Sequence, residues 1–166
     1  MNRKKRINYI VTGAVIATLY AALTYLCQNL AYESTQLRLS EVLTILPIFT
    51  PAAVPGLTVG CFISNFGSFH AIDVICGTSA TFVAAVLTRC LRNITIKGLP
   101  IFAFLPPIIV NTLIIGLEIA VVQFDSSNFW WGFLISALGV GLGQTIVCLC
   151  FGIPFYYIIK KYKIFK

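Results

Sequence analysis

INYIVTGAVIATLYAALTYLCQNLA, from Ile7 to Ala31, runs for 25 residues without a charge and follows directly on Arg3-Lys4-Lys5-Arg6. As an α-helix it would be about 37 Å long, enough to cross about 30 Å of hydrocarbon. It is too long for the core of a signal peptide, and no clear small-residue cleavage site follows it. It reads as a retained membrane span. The rest of the chain has the same character. Of the 166 residues, 58% are hydrophobic and 10% are charged, with a mean hydropathy of +0.92. Soluble domains carry roughly 45–50% apolar and about 25% charged residues. That contrast excludes a soluble enzyme, a disordered chain and a collagen-like fibre. An all-α, multi-pass membrane protein is left, with residues 1–166 forming one integral membrane domain.

Outward from the first span, further apolar segments cover about 39–51, 52–69, 71–91, 99–124 and 129–159. The segment at 39–51 is short and ends among Pro47 and Pro51. Pro154 predicts a kink near the end of the last segment. Basic residues check the count. Eleven of the twelve fall in three clusters, Arg3–Arg6, Arg89–Lys97 and Lys160–Lys166. Basic residues collect on the cytoplasmic side of short-loop membrane proteins. Six transmembrane helices, with both termini cytoplasmic, put all three clusters on that side. Five would put two of them outside. The positive charge therefore reports membrane orientation, and no nucleic-acid partner is expected.

The same topology places all five acids, Glu33, Glu41, Asp73, Glu118 and Asp125, in the outer half. Glu41, Asp73 and Glu118 fall within or at the edge of spans, where an ionisable group is costly and points to function. Asn65, Asn111 and Gln144 are polar groups at similar depth. Asn111 and Glu118 are seven residues apart, on nearly one helix face. Arg38 and Glu41, three apart, are placed to pair. The candidate binding set is Arg38, Glu41, Asn65, Asp73, Asn111, Glu118 and Gln144. It describes an acidic pocket for a small ligand rich in hydrogen-bond donors. Tyr32, Phe66, Phe69, Trp130 and Trp131 are available to stack a flat ring, although the tryptophans also match an interfacial belt.

Other signals point away from chemistry. The six cysteines lie in or beside apolar segments without a C-x-x-C pair and read as small hydrophobes. One histidine, no Walker motif and no serine elbow leave no basis for catalysis, a metal or a resident cofactor. Two small-residue rows run along the first segment: Gly13, Ala17 and Ala21, and Ala14, Thr18 and Ala22. Such rows allow close helix approach, either within this chain or to a partner. No internal repeat of the kind used by self-sufficient carriers is visible.

Several motifs resemble one family. Arg38-Leu39-Ser40-Glu41-Val42-Leu43-Thr44-Ile45-Leu46-Pro47 resembles the R-x-S-E-x-L-T-x-L-P signature of the QueT family. Gly56–Asn65 (GLTVGCFISN), Asp73–Thr81 (DVICGTSAT) and Ala17–Thr24 (ATLYAALT) resemble it too. The likeness is most specific in the first half of the chain. It implies a substrate-binding S component of an energy-coupling factor transporter in the cell membrane. It further implies an S-component-like bundle that takes a queuosine precursor, a 7-deazaguanine. The expected partners are a transmembrane scaffold subunit and two ATPases, which carry the ATP and magnesium. The small-residue face of the first helix would then meet the scaffold. An S component for thiamin or riboflavin, and a structural membrane protein without a small ligand, are the alternatives.

Overall fold

The computed structural model describes residues 2–27, 38–66, 71–96 and 98–165. The described residues are helical apart from turns and one isolated bridge between Ile96 and Leu99. The elements are α1 (Arg3–Leu26), a 3₁₀ helix (Leu39–Ile48), α2 (Ala53–Asn65), α3 (Ala71–Leu91), α4 (Leu105–Gln123), α5 (Phe129–Thr145) and α6 (Gly152–Tyr162). A single 3₁₀ turn, Ile101–Phe104, leads into α4. A π-helical stretch, Ile146–Phe151, joins α5 to α6. Four continuous helical stretches are long and apolar enough to cross a membrane: Arg3–Leu26, Ala71–Leu91, Ile101–Gln123 and Phe129–Tyr162. Large apolar side chains cover their outer faces, Ile10, Ile75 and Leu142 among them. The protein is a multi-pass membrane protein.

The two shorter segments differ from their expected lengths. The segment expected at 52–69 forms a 13-residue α-helix, Ala53–Asn65, about 20 Å long. The segment expected at 39–51 is a 10-residue 3₁₀ helix. At about 2.0 Å per residue, the tighter winding also stretches it to about 20 Å, where an α-helix would reach about 15 Å. Residues three apart eclipse one another in a 3₁₀ helix. Arg38, Glu41, Thr44 and Pro47 therefore share one edge, and all four are buried.

This 3₁₀ helix is the axis of the fold. α1 packs on α2, α2 on α3, α3 on α4 and α4 on α5, and the 3₁₀ helix touches α1, α2, α3 and α6. Leu43 and Leu46 pack with Ile16, Tyr20 and Leu57, while Ile45 packs with Phe104 and Tyr156. Its apolar residues are buried nearly all round, the pattern of a helix enclosed by others.

α1 and α2 cross at very short range. A Cβ on Gly56 would lie 2.6 Å from the Gly13 carbonyl oxygen, and one on Gly60 would lie 2.7 Å from that of Ala17. Only a hydrogen in place of a side chain allows this approach. The prolines sit where they cost least. Pro106 and Pro107 occupy the first turn of α4, where no intrahelical partner awaits an N–H. Pro154 lies in the first turn of α6, just after the π stretch. The helical winding widens to a π turn just upstream of the proline.

The basic residues gather at one end of the bundle. Arg89 Nη1 donates to the carbonyls of Pro47 (2.9 Å) and Ile48 (3.3 Å), the last turn of the 3₁₀ helix. Tyr9, near the start of α1, donates to Pro51 O at 3.4 Å, and Lys160 donates to Gly98 O at 3.4 Å. The amino-terminal, middle and carboxy-terminal basic clusters thus share an end. The candidate binding residues extend from the middle of the bundle toward the other end.

Candidate binding site

Glu41 occupies the middle of the bundle and is 3% exposed. Three helices send a donor to its carboxylate. Tyr20 of α1 donates its hydroxyl to Oε1. Asn111 of α4 and Gln144 of α5 donate amide N–H groups to Oε2, at 3.3 and 3.1 Å. A buried carboxylate needs such donors, because its desolvation is otherwise uncompensated. These bonds also fasten the 3₁₀ helix to the α-helices around it.

A second group of polar residues continues from the first. Arg38 Nη1 donates to Asn65 Oδ1 at 3.3 Å, and Asn65 Nδ2 donates to the backbone carbonyl of Asp73 at 3.0 Å. This chain links the 3₁₀ helix, the end of α2 and the start of α3. Gly77 makes it possible, since a Cβ there would overlap Asn65 Nδ2. The carboxyl groups of Asp73 and Glu118 are neighbours, each within the electrostatic reach of the other. Glu118 is 6% exposed, and its Oε1 is buried without a hydrogen-bond partner among the described residues. Two neighbouring carboxylates repel, so a cation placed between them would be favoured.

The seven residues singled out from the sequence therefore converge. Arg38, Glu41, Asn111 and Gln144 line one central cavity, together with Gly77, Thr81, Ile115 and Val140. Its volume is about 10 Å³, room for about one water molecule. Asn65 adjoins it through Arg38, and Asp73 and Glu118 adjoin it through Asn65 and each other. The arrangement offers carboxylate acceptors, amides that both donate and accept, and one guanidinium, between the apolar walls Ile115 and Val140. It suits a small, planar, polar ligand.

Sequence reasoning missed Tyr20, Gly77 and Thr81. Tyr20 carried a signal, because a tyrosine in the middle of a span lies away from the interfacial belt where tyrosines collect. Gly77 and Thr81 carried none beyond lying in a quoted motif. Three aromatic candidates prove to be elsewhere. Phe66, Trp130 and Trp131 are about 70% exposed and none lines the cavity, so they do not stack a ligand there. Tyr32, Glu33, Phe69 and His70 lie outside the described residues.

The two small-residue rows of α1 separate. Ala17 and Ala21 are buried and Gly13 partly so, along the crossing with α2. For Ala17 and Ala21 the close-approach surface is thus largely occupied by this chain itself. Ala14, Thr18 and Ala22 are exposed. Beside the crossing runs an apolar groove of about 280 Å³, lined by Ile10, Gly13, Ala14, Ala17, Gly56 and Val59.

A multi-pass helical bundle with a buried cluster of polar groups has the features of a membrane transport protein. The family pattern of QueT transporters matches residues 10–161. The chain belongs to the QueT transporter family. A curated relative, the queuosine precursor transporter QueT of Lactococcus lactis subsp. cremoris (strain MG1363), is 39% identical over 83 residues. That match covers 49% of this chain and 49% of the relative, so about half the length of each. No solved structure matches.

Proposed function

We propose that this chain is the substrate-binding S component of an energy-coupling factor transporter in the cell membrane, capturing a queuosine precursor of the 7-deazaguanine type for ATP-driven uptake. The observation that carries the proposal is the convergence of Arg38, Glu41, Asn65, Asp73, Asn111, Glu118 and Gln144 inside a membrane protein of the QueT family. The relative's name supplies the ligand class.

The two acidic centres suggest a division of labour. The guanine-like edge of a deazaguanine presents several N–H donors, which Glu41 accepts in place of the amides of Asn111 and Gln144. Those amides are then released to meet the ring's own acceptor atoms. The Asp73–Glu118 pair, with an unused buried oxygen, suits the cation of an aminomethyl substituent. A bicyclic base is far larger than a 10 Å³ cavity, so Arg38 and the helices around it move apart to admit it.

In this reading the 3₁₀ helix and α2 are short crossings, which gives six in all with both termini cytoplasmic. The gathering of the three basic clusters at one end supports that count. The exposed row Ala14, Thr18 and Ala22, with its neighbouring groove, faces the transmembrane scaffold subunit. Two partner ATPases hold the ATP and magnesium and power inward delivery.

Titration of purified protein with aminomethyl-, cyano- and queuine-type deazaguanines tests the proposal, with guanine, thiamin and riboflavin as controls. Submicromolar binding of a deazaguanine, lost in Glu41→Ala, is expected. Binding of a control vitamin alone would overturn the substrate. No binding by folded protein would overturn the S-component reading.

A further inference from the structure

At the end of the bundle opposite the carboxyl pair lies a cleft of about 620 Å³. Lys5, Asn8 and Thr12, one face of the first turns of α1, form one wall. Phe49, Thr50 and Phe165 face them. The left-handed residue Lys163 (φ 49°) ends α6 and turns the tail back, so that Phe165 stacks on Phe49 with ring centroids 6.4 Å apart. Tyr9 braces the cleft through its bond to Pro51 O.

The chemistry of the cleft is that of an anion seat with an apolar floor. Lys5 supplies an ammonium, and Asn8 and Thr12 supply neutral donors. Thr50 Oγ1 accepts the N–H of Ala52, which leaves its own proton to donate outward. Arg3, Lys4 and Arg6 flank it on α1, and Lys163 flanks it on the tail. Among the described residues no carboxylate lines it, and Glu41, Asp73, Glu118 and Asp125 lie elsewhere. The cleft also opens at the margin of the apolar belt, since Ile7, Ile10 and Val11 on the same helix turns are 50–61% exposed. A ligand here has its charged part beside Lys5 and its apolar part beside lipid.

We propose that this cleft binds the phosphate headgroup of an anionic phospholipid. Clustered cations at a membrane boundary attract acidic lipids, at about 1 kcal/mol per cation, or about fivefold in affinity. The aromatic pair Phe49–Phe165 seats the start of the acyl region, which a soluble phosphate lacks.

Native mass spectrometry of the protein in mixed micelles tests this, with phosphatidylglycerol against phosphatidylcholine. Glycerol 3-phosphate and inorganic phosphate serve as soluble arms. Phosphatidylglycerol is expected to be retained at least fivefold more than phosphatidylcholine, with neither soluble phosphate competing at equal concentration. Lys5→Gln lowers phosphatidylglycerol retention about fivefold and leaves phosphatidylcholine unchanged. Arg92→Gln, at the same end but outside the cleft, serves as the charge control and leaves both unchanged. Lys5 is exposed, so its variant folds, and an unaltered melting temperature verifies this. Equal retention of the two lipids would overturn the proposal, as would an unchanged Lys5→Gln or an equal loss in Arg92→Gln. Effective competition by inorganic phosphate would assign the cleft to a soluble anion instead.

Discussion

Replacing Tyr20 by phenylalanine removes one oxygen from the centre of the bundle and leaves the ring in place. That oxygen belongs to a fully buried side chain and carries the only hydroxyl donated to the Glu41 carboxylate among the described residues. A hydrogen bond to a charged group contributes about 1.5–3 kcal/mol, and loss of one partner also leaves a buried acceptor short of a donor. Asn111 and Gln144 still reach Oε2, so the loss is confined to Oε1. Tyr20→Phe is therefore expected to destabilise by about 2 kcal/mol, or about 4–8 °C in melting temperature for a chain of this size. Glu41→Gln keeps the shape but weakens the charge-assisted bond. In that background, Tyr20→Phe should cost under about 1 kcal/mol. The assay is a double-mutant cycle of thermal melts in one detergent. A coupling free energy near zero, with the two changes simply adding, would refute the reasoning that Tyr20 acts through Glu41.

Three further outcomes are expected. Gly60→Leu forces a side chain against the Ala17 carbonyl and should cost at least about 1–3 kcal/mol in thermal melts, because both backbones must separate; an unchanged melting temperature would contradict the close crossing. Gly77→Ala should displace Asn65 from Arg38 and lower ligand affinity tenfold or more in a binding titration, while wild-type affinity would show that the Arg38–Asn65 link is dispensable. Ala14→Leu with Ala22→Leu alters exposed positions only, so stability should stay within about 0.5 kcal/mol and ligand binding should persist. Co-purification with the energy-coupling partners should be lost in that variant; if it is retained, the outward row is not the docking face.

Much of this protein was legible in its residues. Membrane insertion depends on length and hydropathy summed along the chain, so the long helices could be counted without coordinates. The start of α3 and its end at Leu91 coincide with the expected boundaries because charge and polarity change abruptly there. Six of the seven polar candidates stood out because an amide or carboxyl in a span is costly wherever it lies, a local property, and Arg38 stood out by its spacing to Glu41. The family was suggested by motifs in the first half that resemble its signature.

Contacts were not legible, because they depend on which faces meet. Leu39–Ile48 gives no sign of a 3₁₀ winding by composition, yet that winding aligns Arg38, Glu41 and Thr44 on one edge. The two small-residue rows of α1 are equivalent in sequence; the crossing with α2 buries one and exposes the other. Glu41, Asp73 and Glu118 are alike as isolated residues. Only the tertiary arrangement surrounds the first with three donors and sets the other two against each other, because burial fixes the cost of a charge while neighbours decide how it is offset.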